Sequence, residues 1–356
     1  MKRVIFWCGK AIEAWGPAKI NETGVGGSET AVIEIARRFA SAGWQSDVFN
    51  APGKYEGVRD GVGYWELSRL AKDTTCDLLV IWRNPDAVNL PILAKQRVLW
   101  VHDHDCGPNA RSNLVKFDRV LGVSKYHADF LADAYDLPEG LVDFVPNGVN
   151  LDRFTATVKK VPQRCVYASS PDRGLIMLLK MWPEIIGNEK KPELHIGYGF
   201  DVMDKMIAAG RSELIPFKQE CMDLIKNTKQ VVYRGRLPQD ELATLYQESV
   251  AWLYPSDFLE TSCISAMEVM AAGCIPITSS SGALKETVGN GGLVVYGPEK
   301  TRSNPHSKAW REFYIRCVQG VLFESNNRLT LAGMAKARAP ELTWDVSFLK
   351  WLEVVS

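Results

Sequence analysis

Short apolar runs that end at a loop and are followed by helical apolar spacing recur along this chain, and that alternation constrains the fold most. Val4–Cys8 is apolar and stops at Gly9. Glu29–Ala42 carries Val32, Ile33, Ile35, Ala36, Phe39 and Ala40 at helical spacing and stops at Gly43. Asp47–Asn50, Asp77–Trp82, Arg97–Val101 and Arg119–Val123 read as further strands. A helix follows Ser124 to about Ala134, and Val142–Pro146 closes this half. The pattern restarts near Arg164 with strands at Cys165–Ser169, Glu193–Tyr198, Val231–Tyr233, Ala251–Tyr254, Ile275–Thr278 and Gly292–Val295. Helices are expected at about Gly174–Trp182 and Asp240–Gln247. Strands alternating with helices predict an α/β chain of two Rossmann-like, doubly wound parallel-sheet domains facing across a cleft. Ligands of such sheets bind beyond the carboxyl ends of the strands. The boundary is expected near Asn150–Thr157, giving domains 1–154 and 155–341.

A length of 356 residues suits two cores better than one. Hydrophobic content of 46% and charged content of 24% are those of a globular protein. The net charge of +0 leaves no basic field for nucleic acid or anionic lipid. No window approaches the ~18 apolar residues of a membrane helix. The start, MKRVIFWCGK, has too short an apolar run for a signal peptide and reads as a first strand. The eight cysteines are scattered without a C-x-x-C, so reduced thiols and a cytoplasmic protein are expected.

The chemistry concentrates in DFLETSCISAMEVMAAGCIPITS, residues 257–279. Glu260 and Glu268 stand eight positions apart. On one helix their side chains would diverge by about 80° and two turns. Glu260 is therefore expected in the loop before a helix that begins near Ser262, with Thr261 or Ser262 as N-cap. The free amides and positive dipole end of that helix form an anion site. Two carboxylates around an anion site suit a ligand that is anionic in the middle and hydroxyl-rich at both ends, such as a nucleotide sugar. The alternative is that both acids are merely favourable at a helix start or solvated.

The stretch YPSDFLETSCISAMEVMAAGCIPITSSSGALKETV resembles the E-x7-E region of the retaining glycosyltransferases of family 4, which have the GT-B fold. TGVGGSETAVIEIARRFASAGWQSDVF is similar to that family's glycine-rich loop and first helix, and RVLWVHDHD to the strand that ends in its active-site His. FDRVLGVSKYHADFLADAYDLPEGLVDFVPNGVNLDRF resembles its inter-domain passage, and VVYRGRLPQDELATLYQESVAWLYPSDFLE the approach to the signature. The resemblance covers nearly the whole chain. It implies that Glu260 binds donor-sugar hydroxyls and Glu268 the ribose, and that Thr261 and the amides of Ser262, Cys263 and Ile264 lie against phosphate. It implies that Gly26 and Gly27 admit the donor phosphates, where a Cβ would obstruct. His102 would sit beside the reacting carbon. The final segment, 342–356, would cross back onto the first domain as a helix.

One departure stands out. The family usually places an Arg and a Lys about five residues apart after the first strand of the second domain, to clamp the diphosphate. Here Arg173 takes the Lys position and Ala168 the Arg position. Arg234 or Arg236 would have to supply a second cation.

Other motifs have simpler readings. GVGG lacks the third glycine of a dinucleotide loop, since position 29 is Glu29, and no strand ends close before it. HDHD, His102 to Asp105, holds metal-ligand types, but adjacent residues at a strand end diverge. His104, His127, His195 and His306 read as structural or solvated, Trp15 as packing, and Asn147-Gly148 as a hinge turn. The expected activity is transfer of a sugar from a nucleotide-diphosphate sugar to a carbohydrate or other hydroxyl-bearing acceptor, with retention, no metal and no cofactor. Arg173, Glu260 and His102 are the catalytic candidates. Variable loops around 10–25, 52–65 and 103–113 would bind the acceptor, and a monomer or weak dimer is expected. Open alternatives are a non-catalytic nucleotide-sugar-binding subunit and an epimerase or inverting transferase of the same build.

Overall fold

The structure, a computed structural model, describes residues 1–296, 304–324 and 327–355. The chain divides into two compact units: Met1–Gly148 with Leu342–Ser356, and Val149–Glu341. The division falls ahead of the expected 154. Leu151–Phe154 is a short 3-10 turn tied to the second unit: Gln247 Nε2 donates to the Phe154 carbonyl at 3.2 Å, and Arg153 reaches Gln239.

In the first unit the strands are β1 (Arg3–Trp7), β2 (Gln45–Asn50), β3 (Gly57–Arg59), β4 (Val62–Glu66), β5 (Thr74–Trp82), β6 (Ile92–Trp100), β7 (Arg119–Gly122) and β8 (Val142–Phe144). Among the described residues they form one sheet in the order β3-β4-β2-β1-β5-β6-β7-β8, parallel except for the β3–β4 pair. Half of the stretch 52–65, expected as a variable loop, is therefore the edge of this sheet. Val62, Gly63 and Tyr64 are buried there, and they are too few for a local strand pattern to stand out.

In the second unit β9 (Arg164–Tyr167), β10 (Glu193–Ile196), β11 (Val231–Tyr233), β12 (Ala251–Tyr254), β13 (Ile275–Ser279) and β14 (Leu293–Val295) form an all-parallel sheet in the order β11-β10-β9-β12-β13-β14. Both sheets are doubly wound. The strand order reverses at β1/β5 in the first and at β9/β12 in the second, which is where open α/β sheets leave a crevice at their carboxyl ends. The central strands are buried on both faces, whereas the edge strands β3 and β11 are largely exposed. In β12 all four residues are buried, as helices on either side of a parallel sheet require.

The final helix, Trp344–Val354, belongs to the first unit. It packs Phe348 on Phe39 and Trp351 on Trp100, each with ring centroids 5.1 Å apart. Gly148 lets it close in: a Cβ at that position would lie 2.4 Å from the Trp344 nitrogen. The helices Asp201–Ala208, Ile215–Asn227, Lys308–Phe323 and Arg328–Arg338 are elements that the sequence reading leaves unassigned. No helix is long and apolar enough to cross a membrane among the described residues.

Candidate active site

The second unit gathers charge at its β9/β12 crevice. β9 ends at Tyr167 and its loop carries Arg173. β12 ends at Tyr254 and its loop carries Glu260. Arg173 Nη1 donates to Glu260 Oε1 at 2.9 Å, and the Tyr254 hydroxyl donates to the same oxygen. Glu260 is 3% exposed, so these donors offset its desolvation. The Arg173 guanidinium lies over the Phe258 ring at 3.9 Å, a cation–π contact that fixes its plane. The Tyr167 hydroxyl donates to the carbonyls of Ser170 and Arg173, at 2.7 and 3.2 Å, and so holds the Arg173 loop. Gly174 has φ +93°, and a Cβ there would stand 2.6 Å from the Pro255 carbonyl oxygen. Only glycine lets the two loops approach this closely.

The helix after Glu260 runs Ile264–Ala271, and its N-cap is Cys263. The expected start near Ser262, with Thr261 or Ser262 as cap, is corrected. The Cys263 side chain makes no capping hydrogen bond, and the first turn holds no acid. A thiol is a poor acceptor, and the backbone at Cys263 (φ −102°, ψ 93°) already leaves the helix. Ser265 Oγ donates to the Ala168 carbonyl at 3.3 Å, tying the helix to the end of β9. Ala168 itself is 3% exposed and part of the core, so the position of the usual clamp Arg is filled by packing.

Glu268 lies inside that helix, half-buried. Desolvation pushes its carboxyl up to about 7, against a modest opposing pull from Arg153. Arg234 and Arg236 follow β11, the edge strand, two places from β9 in the sheet. Arg234 is exposed, and its amide donates to the Ile196 carbonyl. Arg173 is therefore the cation paired with Glu260.

In the first unit Gly26 is the N-cap of the helix Gly27–Ser41, and both glycines are exposed. Glu29 folds back beside them: a Cβ on Gly26 would meet its Oε2 at 2.2 Å. His102 follows β6, with its ring against Trp100 at 4.6 Å and Trp82 at 6.1 Å. Burial, then the nearby Arg83 and His127, hold its imidazole well below the usual histidine range, so it is neutral at pH 7. Arg83 pairs with Asp103 at 2.5 Å and has φ +63°, an uncommon backbone for a side chain of this size. His127 is structural. Its Nδ1 accepts from the Val123 amide at 3.2 Å, so its Nε2 donates to the Asp103 carbonyl at 3.0 Å. His104 packs edge-on against Phe130. Trp15 is buried against Trp82. No group of three metal-ligating side chains occurs among the described residues.

A groove of 630 Å³ lined by Asp73, Val88, Leu90, Ile92, Arg97 and Lys116 lies at the amino ends of β5–β7. It is at the opposite end of the sheet from His102. Arg97 there is spent on the carbonyls of Val88 and Ile92.

With this geometry in place, the comparisons with known proteins fall in one direction. Residues 205–304 match the glycosyl transferases group 1. A lipopolysaccharide 1,2-N-acetylglucosaminetransferase of Salmonella typhimurium is 26% identical over 184 residues, 46% of this chain and 45% of that protein. An uncharacterized glycosyltransferase of Methanocaldococcus jannaschii is 25% identical over 210 residues, 54% of this chain and 49% of that protein. The chain thus spans about half the length of the curated relatives it matches. Among solved structures, a glycosyltransferase of Rickettsia africae superposes with a TM-score of 0.73 at 15% identity, covering 99% of this chain and 98% of that one. Anabaena HepE in complex with UDP-glucose superposes with a TM-score of 0.72 at 14% identity, covering 100% and 99%. The fold is GT-B.

Proposed function

We propose that the protein is a glycosyltransferase that takes a nucleotide-diphosphate sugar as donor and passes the sugar to an acceptor hydroxyl with retention of configuration. The observation that carries this reading is a buried carboxylate, Glu260, paired to Arg173 at the β9/β12 crevice just ahead of the helix Ile264–Ala271. Glu260 takes sugar hydroxyls, and the amides of Cys263 and Ile264 take phosphate. Glu268 takes the ribose. The family match within this unit and the HepE complex support the nucleotide sugar as ligand class.

Departure of the diphosphate builds negative charge on its terminal oxygen. Arg173 and the helix end are fixed in advance to stabilise it, usually the largest catalytic contribution. The C–O bond to the diphosphate breaks, the acceptor oxygen bonds the same face of the anomeric carbon, and its proton goes to the leaving phosphate oxygen. With the charge carried by a guanidinium and a helix end, the reaction proceeds without a metal. His102, neutral, orients by hydrogen bonding and not by charge.

Nucleotide release from UDP-, GDP-, ADP- and dTDP-sugars tests this, with Glu260→Ala and Glu268→Ala alongside. Slow release from one donor, lost in both variants and unaffected by chelator, is expected. An inverted product anomer would remove the retaining assignment. A second reading is favoured by the packing of Ala168 in the core: a non-catalytic nucleotide-sugar-binding subunit. Donor binding without sugar release on any acceptor distinguishes it.

A further inference from the structure

Among the described residues the Glu260 carboxylate accepts two hydrogen bonds, from Arg173 and from Tyr254, and both fall on Oε1. Neither donor reaches Oε2. Tyr254 is fully buried, stacked on Trp252 with ring centroids 4.5 Å apart and an interplanar angle of 15°. Burial first, then the neighbouring Glu260, hold its phenol well above the usual range, so its proton stays on at any working pH. That proton goes to Glu260. Ser169 Oγ, 3.3 Å from the phenol oxygen, is then the donor to Tyr254. Ser169, Tyr254, Glu260 and Arg173 form one relay of directed bonds, and a carboxylate held through one oxygen presents the other.

We propose that Tyr254 is the positioning residue that turns Glu260 so that Oε2 alone faces the ligand, making the site selective for the sugar end of the donor. The proposal rests on the donor reading given above. Tyr254 is fully buried and its hydroxyl is spent on Glu260, so it acts through Glu260. Removing its hydroxyl frees the carboxylate to rotate, and Oε1 and Oε2 then share Arg173.

The test uses the full chain and calorimetric titration with UDP-, GDP-, ADP- and dTDP-glucose and the four matching nucleoside diphosphates. Tyr254→Phe keeps the stacked ring. It is expected to bind the preferred nucleotide sugar about tenfold more weakly, the scale of a hydrogen bond to a charged group, and the diphosphate as before. Glu260→Gln is expected to do the same, and the double variant to be no weaker than the worse single. Equal losses for sugar and diphosphate, no loss for either, or additive losses in the double variant would overturn the inference. If Tyr254→Phe does not fold, 3-fluorotyrosine placed at 254 replaces it. Its 19F resonance is expected to move with the nucleotide sugar and hold still with the diphosphate, and indifference to both overturns the inference. If none of the eight ligands binds the unaltered protein, the donor reading itself fails and this inference with it.

Discussion

Arg173 Nη1 lies 2.9 Å from Glu260 Oε1, and the two residues reach each other from the ends of neighbouring strands, β9 and β12, 87 positions apart in the chain. The pair lies where the second sheet reverses its order. One member is buried and the other about one-third exposed, at 4% and 32%. That asymmetry decides what happens when either is lost.

Arg173→Ala leaves a buried carboxylate with Tyr254 as its remaining partner. A stability loss of about 1–3 kcal/mol is expected, below the value for a fully buried pair because Arg173 is partly wet. Donor turnover should fall by about 100-fold or more. Arg173→Lys should recover much of the stability and less of the turnover, since an ammonium has no planar fork to lay on Phe258. Thermal denaturation and nucleotide release measure the two quantities.

Gly174→Ala should move the same pair without touching its charges. The left-handed backbone and the Pro255 carbonyl both oppose a methyl group there. A cost of roughly 1–3 kcal/mol is expected. Unchanged denaturation would show that the two loops yield freely.

Ala168→Arg restores the residue type expected for a diphosphate clamp, yet the site lies in the core. It should destabilise by about 1–3 kcal/mol through overpacking, without faster donor release. A faster, equally stable variant would contradict the packing account.

Glu268 sets a pH dependence. Its folded value of about 7 lies above the usual 4.5, so burial favours the protonated form. The resulting stability is full below about 4.5 and is lost as pH rises to about 7. Relative to Glu268→Gln, the unaltered protein should therefore lose stability across that window and stay level above it. Donor affinity should run oppositely, rising to a plateau above pH 7 as the carboxylate that accepts ribose hydroxyls forms. The affinity curve is flat through this window in the Gln variant if Glu268 is its source.

His102 predicts an absence of titration. Its imidazole is held well below the usual range by burial and then by Arg83 and His127. The rate profile should show no inflection near 6.5, while His102→Ala lowers turnover. An inflection near 6.5 that disappears in His102→Ala would contradict its burial.

Much of the site was legible locally. The separation of Glu260 and Glu268 required the first to precede the helix, and it does. Gly273, with φ +62°, ends that helix as its position suggests. The helix starts later than its sequence suggests: Thr261 and Ser262 are better caps than Cys263, yet Cys263 is the N-cap. Ile215–Asn227 was illegible for a physical reason: only Cys221 and Ile225 are buried, too few to make a period. Lys308–Phe323 buries Trp310, Tyr314, Ile315, Val318, Val321 and Leu322, a face that the sequence does display. Tyr167 and Tyr254 read as ordinary strand residues. Nothing near either in sequence shows that one hydroxyl holds the Arg173 loop and the other Glu260.

By itself the sequence determined what depends on neighbours along the chain. These are the alternation that makes two doubly wound parallel sheets, the loop position of Glu260 and the helical position of Glu268. The tertiary structure decided strand order, and with it which residues meet. It brought Arg173 to Glu260, aimed Tyr254 at the same oxygen, packed Ala168 into the core, and left Arg234 just beyond an edge strand. Periodicity is a short-range signal, read over a few residues. A hydrogen bond between residues 87 positions apart exists only once β9 and β12 lie side by side, and burial then gives it the strength that local pattern cannot foretell.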